Sequence, residues 1–364
     1  MAKTVKKRVT MRDVAAQAGV SRSTVSLAYN DPARLAEVTV RKVLHTASAM
    51  GYGHEPVAPA RRGRAARCLG LLLPQQLDLA LENPYLTHLL QGIAQACERE
   101  GYALVLVPYP RDELIRAVPD APVDGYIVMG LERGRSEIEA LQQAGIPVVL
   151  LDSELSDSVP TIDIDETNAM EEVTRHLLDY GHRRIAIVAF ETATEGGYRQ
   201  WRGPAYRRIT GVAAALASVG LTPDSPGITV TEVPCTRRGG ATAFRDLWQR
   251  NERPTAVITL SDIIAIGLVM AAREAGVIIP DELSVTGFDD VDEAGDIGVG
   301  LTTVRQPIRA KGRLAVEALV DEILGGRQMW PGRHTLSTTV LLRASTGPVT
   351  TSDTILDADI VREL

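Results

Sequence analysis

Between Met11 and Asn30 the apolar positions fall three and four residues apart, break at a glycine and resume at the same spacing. That period predicts two short helices sharing a seam of Val14, Ala18, Val20, Val25 and Ala28. Small Ala15 lets the helices approach, and Gly19 suits the left-handed turn residue between them. Thr10 and Ser21 stand where N-caps belong. Asp13, three residues after Thr10, makes a near capping box, and Thr24 follows Ser21 at the same interval. A further repeat of Val40, Val43, Leu44, Ala47 and Met50 predicts a third helix ending near Gly51. In such a helix-turn-helix the first residues of the second helix, Arg22 and Ser23, point away from the seam with Leu27 one turn on, the surface that meets base edges.

Past the third helix the pattern changes. Residues 53–67, GHEPVAPARRGRAAR, hold two prolines, two glycines and four arginines with few apolar residues, a linker composition. From Leu69 short apolar runs alternate with amphipathic stretches: LGLLLP at 69, ALVLVP at 103, GYIVMG at 125, PVVLLD at 147, IAIVAF at 185, ITVTEV at 228, AVITL at 256 and SVTGFDD at 284. Continuous Val, Ile and Leu runs separated by helices predict parallel strands buried on both faces, hence a doubly wound α/β body. Eight such units exceed one sheet. Two lobes are therefore expected, the chain crossing between them near residue 160 and again near residue 290, with a ligand cleft at the carboxyl ends of the strands. The expected organisation is a head at 1–52, a linker at 53–67, a body at 68–349 and a tail at 350–364.

Charge sharpens the contrast between head and body. An alanine-rich helical hairpin with no nucleic-acid role would show the same apolar spacing. Residues 1–67, however, carry 13 Lys or Arg against four Asp or Glu, leaving 26 basic against 42 acidic residues in the remainder. A basic head neutralises phosphates, and an acidic body stays off them. The chain of 364 residues, 45% hydrophobic, has no run of eighteen apolar residues and no apolar stretch behind its basic N-terminus, which predicts a cytoplasmic globular protein. Cys68, Cys97 and Cys235 lie far apart in apolar contexts and are expected as buried free thiols. The histidines show no metal-ligand spacing, so neither a metal nor a cofactor is expected. Phosphate-loop, nucleophile-elbow and dinucleotide-turn motifs are missing, and GDIGVG at Gly295 has the wrong spacing, which argues against an enzyme.

With those residues in hand, the chain resembles the lac repressor family of bacterial transcription regulators. RDVAAQAGVSRSTVSLAYN looks like the family's hallmark segment; NPYLTHLLQGI from Asn83, HLLDYGHRRIAIV from His176, SVTGFDD from Ser284 and LTTVRQP from Leu301 resemble its body signatures. The resemblance implies an all-α three-helix head on a two-lobed body of periplasmic-binding-protein type. It further implies a homodimer on palindromic operator DNA, acting as a repressor whose affinity a small molecule switches, most simply a sugar or sugar derivative. A nucleoside- or purine-responsive regulator, and a solute-binding protein with the same body fold, remain the alternatives. The tail, with Ile355, Leu356, Ile360 and Val361 near helical spacing, is too short for a tetramerising coiled coil.

By the same resemblance DNA contacts fall to Thr10, Ser21, Arg22, Ser23, Thr24, Leu27 and Asn30; Lys6, Lys7 and Arg41 or Lys42 are expected mainly on phosphates or in solvent. Relatives fold the linker into a hinge helix that wedges a leucine into the minor groove. Here Arg61 stands at that position and Pro59 disfavours a regular helix, so Arg61, Arg62 and Arg64 are expected as an extended basic arm in a narrow minor groove. Tyr85, Asp152, Arg208, Ser261 and Asp289 are implied to line the effector cleft, Arg208 and Asp289 gripping the ligand from opposite lobes. Ser261 stands where relatives often have Asn, and Cys235 where many carry a sugar-stacking aromatic. Tyr198, Trp201 or Tyr206 are the expected substitutes for that ring, and Trp248 is expected in the core.

Overall fold

A computed structural model of the chain describes residues 10–30, 34–50, 67–73, 77–108, 123–130, 138, 141–142, 145–153, 159–192, 196–325 and 332–350. It divides into two compact units, Met1–Ala65 and Ala66–Leu364. In the first, α1 (Met11–Ala18), α2 (Arg22–Asn30) and α3 (Glu37–Ala49) enclose Val14, Ala15, Ala18, Val25, Ala28, Val43 and Ala47. Val20 packs at the edge, but Leu44 is 40% exposed and lies outside the seam the spacing suggested. Gly19 ends α1 at φ +64°, and Ser21 caps α2 by accepting from the Thr24 N–H at 3.0 Å.

The second unit holds two parallel sheets. Lobe 1 is built on β1 (Cys68–Leu73), β2 (Ala103–Pro108), β3 (Gly125–Met129), β4 (Val148–Leu151), β5 (Thr161–Ile164) and β11 (Arg333–Leu336), in the order β11-β5-β4-β3-β1-β2. Short α4 (Leu77–Glu82) leads into α5 (Pro84–Glu100), which with α11 (Ile308–Ile323) covers one face of that sheet. Lobe 2 is built on β6 (Ile185–Phe190), β7 (Ile228–Val233), β8 (Ala256–Thr259) and β9 (Ser284–Thr286), in the order β7-β6-β8-β9. One face carries α6 (Glu166–Asp179) and α7 (Gly203–Ala217); the other carries α8 (Arg237–Trp248) and α9 (Asp262–Glu274), with the short α10 (Glu293–Asp296) beside α9. All eight runs form strands; the continuous apolar ones suit a sheet covered on both faces, while ITVTEV, alternating with polar residues, forms the half-buried edge strand β7. No helix among the described residues is long and apolar enough to cross a membrane.

Among the described residues three segments join the lobes. The chain leaves lobe 1 after β5, returns after β10 (Thr303–Arg305), and crosses again between β11 and β12 (Thr339–Leu341), which pairs antiparallel with β10. The return falls near Gln306 instead of near residue 290. Val291, Ala294 and Leu301 are all buried in lobe 2, so hydrophobic burial holds that stretch there for another fifteen residues or so.

Candidate nucleic-acid interface and inter-lobe cleft

The head presents the N-terminal end of α2 to solvent: Ser21, Arg22 and Ser23 are exposed, while Thr24 and Leu27 are half-buried. Ser21 Oγ lies 2.7 Å from Ser23 Oγ and 2.8 Å from Thr24 Oγ1, so three hydroxyls share the N-cap with Arg22 beside them. The Thr10 N–H and hydroxyl both donate to the Asp13 carboxylate, at 2.8 and 2.7 Å, which aligns the start of α1. Asn30 ends α2, and Arg41 and Lys42 lie exposed on α3. Lys6, Lys7, Arg61, Arg62 and Arg64 fall outside the described residues.

In the body, the expected effector residues gather where the two sheets' carboxyl ends meet. On lobe 1, Asn83 caps α5 by accepting from the Tyr85 N–H at 3.0 Å, which sets Tyr85 in the first turn. Its hydroxyl donates to Asp152, at the end of β4, and Lys311 of α11 donates to the same carboxylate. Burial raises the Asp152 carboxyl, but the Lys311 ammonium and the two hydrogen bonds outweigh it and hold it below the ordinary range. Burial, then the Asp152 charge, pushes the Tyr85 phenol well above its usual value.

Lobe 2 supplies Arg208, Ser261 and Asp289. Arg208, on α7, donates from Nη1 to the Leu260 carbonyl at 2.5 Å, and its guanidinium lies 3.8 Å from the Phe288 ring centre. Its Nε is buried with no hydrogen-bond partner among the described residues. Ser261 Oγ donates to Asp289 at 3.0 Å, and Gln306 Nε2 donates to the other carboxylate oxygen at 2.6 Å. Burial raises the Asp289 carboxyl, and the charge of Arg208 offsets part of that. Asp152 and Asp289 both have positive φ, +45° and +135°, backbone strain at the two strand ends that face the cleft.

Arg208 and Asp289 therefore belong to one lobe, which corrects the expectation that they grip from opposite sides. The body helices pair by packing on a sheet face, and α7 lies on the sheet whose edge strand precedes Asp289. The opposing lobe contributes Tyr85, Asp152 and Lys311. Of the three rings expected to replace the stacking aromatic, two are engaged elsewhere. Trp201 is fully buried and donates to Glu232 at 2.6 Å, Tyr198 donates to Asp224 at 2.7 Å, and Tyr206 is exposed. Apolar burial has claimed the indole, and the rings against Arg208 are Phe288 and Phe190. Trp248 stacks on Phe244 at the edge of the lobe 2 core. Cys235 does face the other lobe: its sulfur accepts from Asn83 Nδ2 at 3.6 Å, and burial pushes the thiol up to about 12. All three cysteines are free, with Cys97 buried and the other two partly so.

Lys311, Gln306 and Asn83 went unmarked in the sequence, although Lys311 left a signal. It falls between Ile308 and Ala315 on the buried stripe of its helix, where a lysine is out of place unless paired. Nearby, the carboxylates of Asp152, Asp163 and Glu166 come within 4.8 Å of one another. Arg207 supplies countercharge, bonding Glu166 at 2.8 and 3.1 Å, and Arg333 bonds Asp163 at 3.1 Å. Even so, burial and then Glu166 push the Asp163 carboxyl up to about 6. Beside the cleft a cavity of about 570 Å³ runs between Pro84 and His88 on lobe 1 and Arg237 and Asp292 on lobe 2, bridged by a His88–Asp292 contact of 3.2 Å.

A helix-turn-helix unit followed by a hinged, two-lobed α/β body defines a class of DNA-binding transcriptional regulator. Residues 10–54 match the family described as "Bacterial regulatory proteins, lacI family", and residues 174–346 match "Periplasmic binding protein-like domain". The chain is 33% identical over 368 residues to HTH-type transcriptional regulator Rv3575c of Mycobacterium tuberculosis, covering 96% of this chain and 99% of that one. It is 31% identical over 322 residues to the HTH-type transcriptional repressor PurR of Vibrio atlanticus, covering 86% and 92%. Among solved structures it is similar to a transcriptional regulator CelR–cellobiose complex, with a TM-score of 0.67 and 27% identity over 93% of this chain and 100% of that one. The chain belongs to the lacI family of bacterial regulatory proteins and is a transcriptional regulator, not an enzyme.

Proposed function

We propose that the protein is a repressor that binds a palindromic operator as a homodimer, and that a neutral sugar held between the lobes changes its operator affinity. The observation that carries the ligand reading is the buried Nε of Arg208, which has no hydrogen-bond partner among the described residues and lies in the same lobe as the Asp289 carboxylate, whose burial its charge offsets in part. A donor lacking an acceptor and a carboxylate on the same lobe suit a pair of adjacent hydroxyls, each of which both donates and accepts. Tyr85 and Asp152 meet the ligand from lobe 1, and Arg208, Ser261 and Asp289 from lobe 2. A ligand touching both lobes distinguishes their arrangements, and only such differential binding shifts an equilibrium. The cellobiose held by a structural relative supports the class. At the head, Arg22 and Ser23 read bases with Leu27 and Asn30 beyond them; Thr10, Ser21 and Thr24 meet the backbone, and Arg61, Arg62 and Arg64 reach the minor groove.

The test is a thermal-shift screen of the full chain against cellobiose and other neutral mono- and disaccharides, followed by operator titration with and without any binder. A stabilising sugar should change operator affinity about five- to 150-fold. Arg208→Ala should remove that response and spare ligand-free DNA binding. If no sugar stabilises the protein, or a binder leaves operator affinity unchanged, the reading fails.

A further inference from the structure

Gln306 lies in the crossover between β10 and α11, and its side chain is buried. It faces a group that only donates and a group that, ionised, only accepts. Its Oε1 accepts from Lys311 Nζ at 2.8 Å, and its Nε2 donates to Asp289 Oδ1 at 2.6 Å. The opposite amide orientation would set N–H against ammonium and oxygen against carboxylate. Lys311, with no exposed surface, spends its other N–H groups on Asp152 and on the Tyr85 hydroxyl at 3.1 Å. An unbroken row of hydrogen bonds therefore runs from Tyr85, Asp152 and Lys311 on lobe 1 through Gln306 to Asp289 and Ser261 on lobe 2.

We propose that Gln306, oriented by Lys311, latches the two lobes together, and that an effector hydroxyl must displace its amide from Asp289. The proposal rests on the reading of this cleft as the effector site and narrows it. Whatever replaces the Gln306 amide must donate to Asp289 while a neighbouring atom accepts from Arg208 Nε. Vicinal hydroxyls meet both demands, whereas a phosphate or carboxylate set against Asp289 meets only the second. Lys311 is already engaged by three acceptors and offers nothing further to an anion. Gln306 and Lys311 are positioning residues: they determine which ligand groups can compete for Asp289.

Cys235 reports the latch without any ligand. Its thiol lies beneath Asn83 of the opposite lobe, while Cys97 is buried inside lobe 1 and reports loss of structure. Iodoacetamide alkylation of the ligand-free full chain, followed by peptide mass spectrometry, reads both sites. Gln306→Met keeps the size and loses the polar ends, so Cys235 should react about tenfold faster, the effect of losing hydrogen bonds to charged groups, with Cys97 unchanged. Gln306→Glu should accelerate it further, because a carboxylate then faces Asp289. Adding Asp289→Asn to Gln306→Glu restores a donor facing an acceptor and should return Cys235 to slow labelling. Wild-type rates in both single variants, a double variant as fast as Gln306→Glu alone, or Cys97 accelerating in step with Cys235 would each overturn the proposal. No sugar is added, so a failed ligand screen leaves this result standing, and a failed latch leaves the screen standing.

Discussion

Asp262 shows how one side chain ties the cleft's lobe together. It opens α9, is wholly buried, and accepts from the Val291 N–H at 3.0 Å and the Thr303 hydroxyl at 2.6 Å, pinning the helix to the segment after β9 and to strand β10. Burial, with the Asp289 charge adding to it, pushes this carboxyl up to about 8 from an ordinary value of 3.8. The folded chain thus holds a proton there that the unfolded chain loses near pH 4. Its stabilising contribution is complete below that value, declines as pH rises, and is gone above about 8. Urea unfolding at pH 5, 7 and 9 should show the wild type weakening across this range, and Asp262→Asn, neutral throughout, should weaken less. Identical slopes for the two proteins would mean that Asp262 titrates like an exposed aspartate. At this scale the sequence showed an aspartate before an apolar helix, a common first-turn residue; its enclosure comes from segments about thirty and forty residues away.

Helix pairs in the body approach backbone to backbone at glycines. A Cβ on Gly267 of α9 would stand 1.9 Å from the Arg237 carbonyl, and one on Gly240 of α8 2.0 Å from that of Ile264. The pattern repeats in α6–α7, where a Cβ on Gly211 would stand 2.2 Å from the Thr167 carbonyl, and in α5–α11, where one on Gly92 would stand 2.0 Å from that of Arg309. Gly267→Ala should therefore force α8 and α9 apart and destabilise the body by about 1–3 kcal/mol, despite alanine's better helix propensity. The urea midpoint checks this; a midpoint at or above wild type would show that the helices move apart freely. In the sequence such a glycine reads only as a weak point within a helix, since its neighbour across the interface is not local.

For the molecule as a whole, the division of charge carries the functional expectation. The basic surplus lies in residues 1–67 and the body is acidic, so a chain starting at Leu69 should not bind operator DNA. The intact protein should lose roughly a thousandfold in affinity or more between about 50 and 200 mM salt, as counterions displaced from several phosphates return. Fluorescence anisotropy on labelled operator measures both. A flat salt response, or binding by the shortened chain, would place the DNA surface elsewhere.

What the sequence determined by itself was everything that depends on neighbours along the chain. Apolar period distinguished the helices of the head from the buried strands of the body, Gly19 and Ser21 marked the helix-turn-helix junction, and the charge split marked where phosphates are met. Short β5 (TIDI), β10 (TVR), β11 (RHTL) and β12 (TVL) escaped notice because polar residues interrupt them, whereas the equally short β4 and β8 sit in continuous apolar runs. Only the tertiary structure decided the cleft. Asp152 and Lys311 are 159 residues apart, Asn83 and Cys235 152, and they meet because two sheets, joined by three crossovers, turn their carboxyl ends toward each other. Arg208 shares a lobe with Asp289, and Gln306 bridges the two, for the same reason. Packing of distant apolar faces chooses which strand ends converge, and the local pattern is the same whichever way they converge.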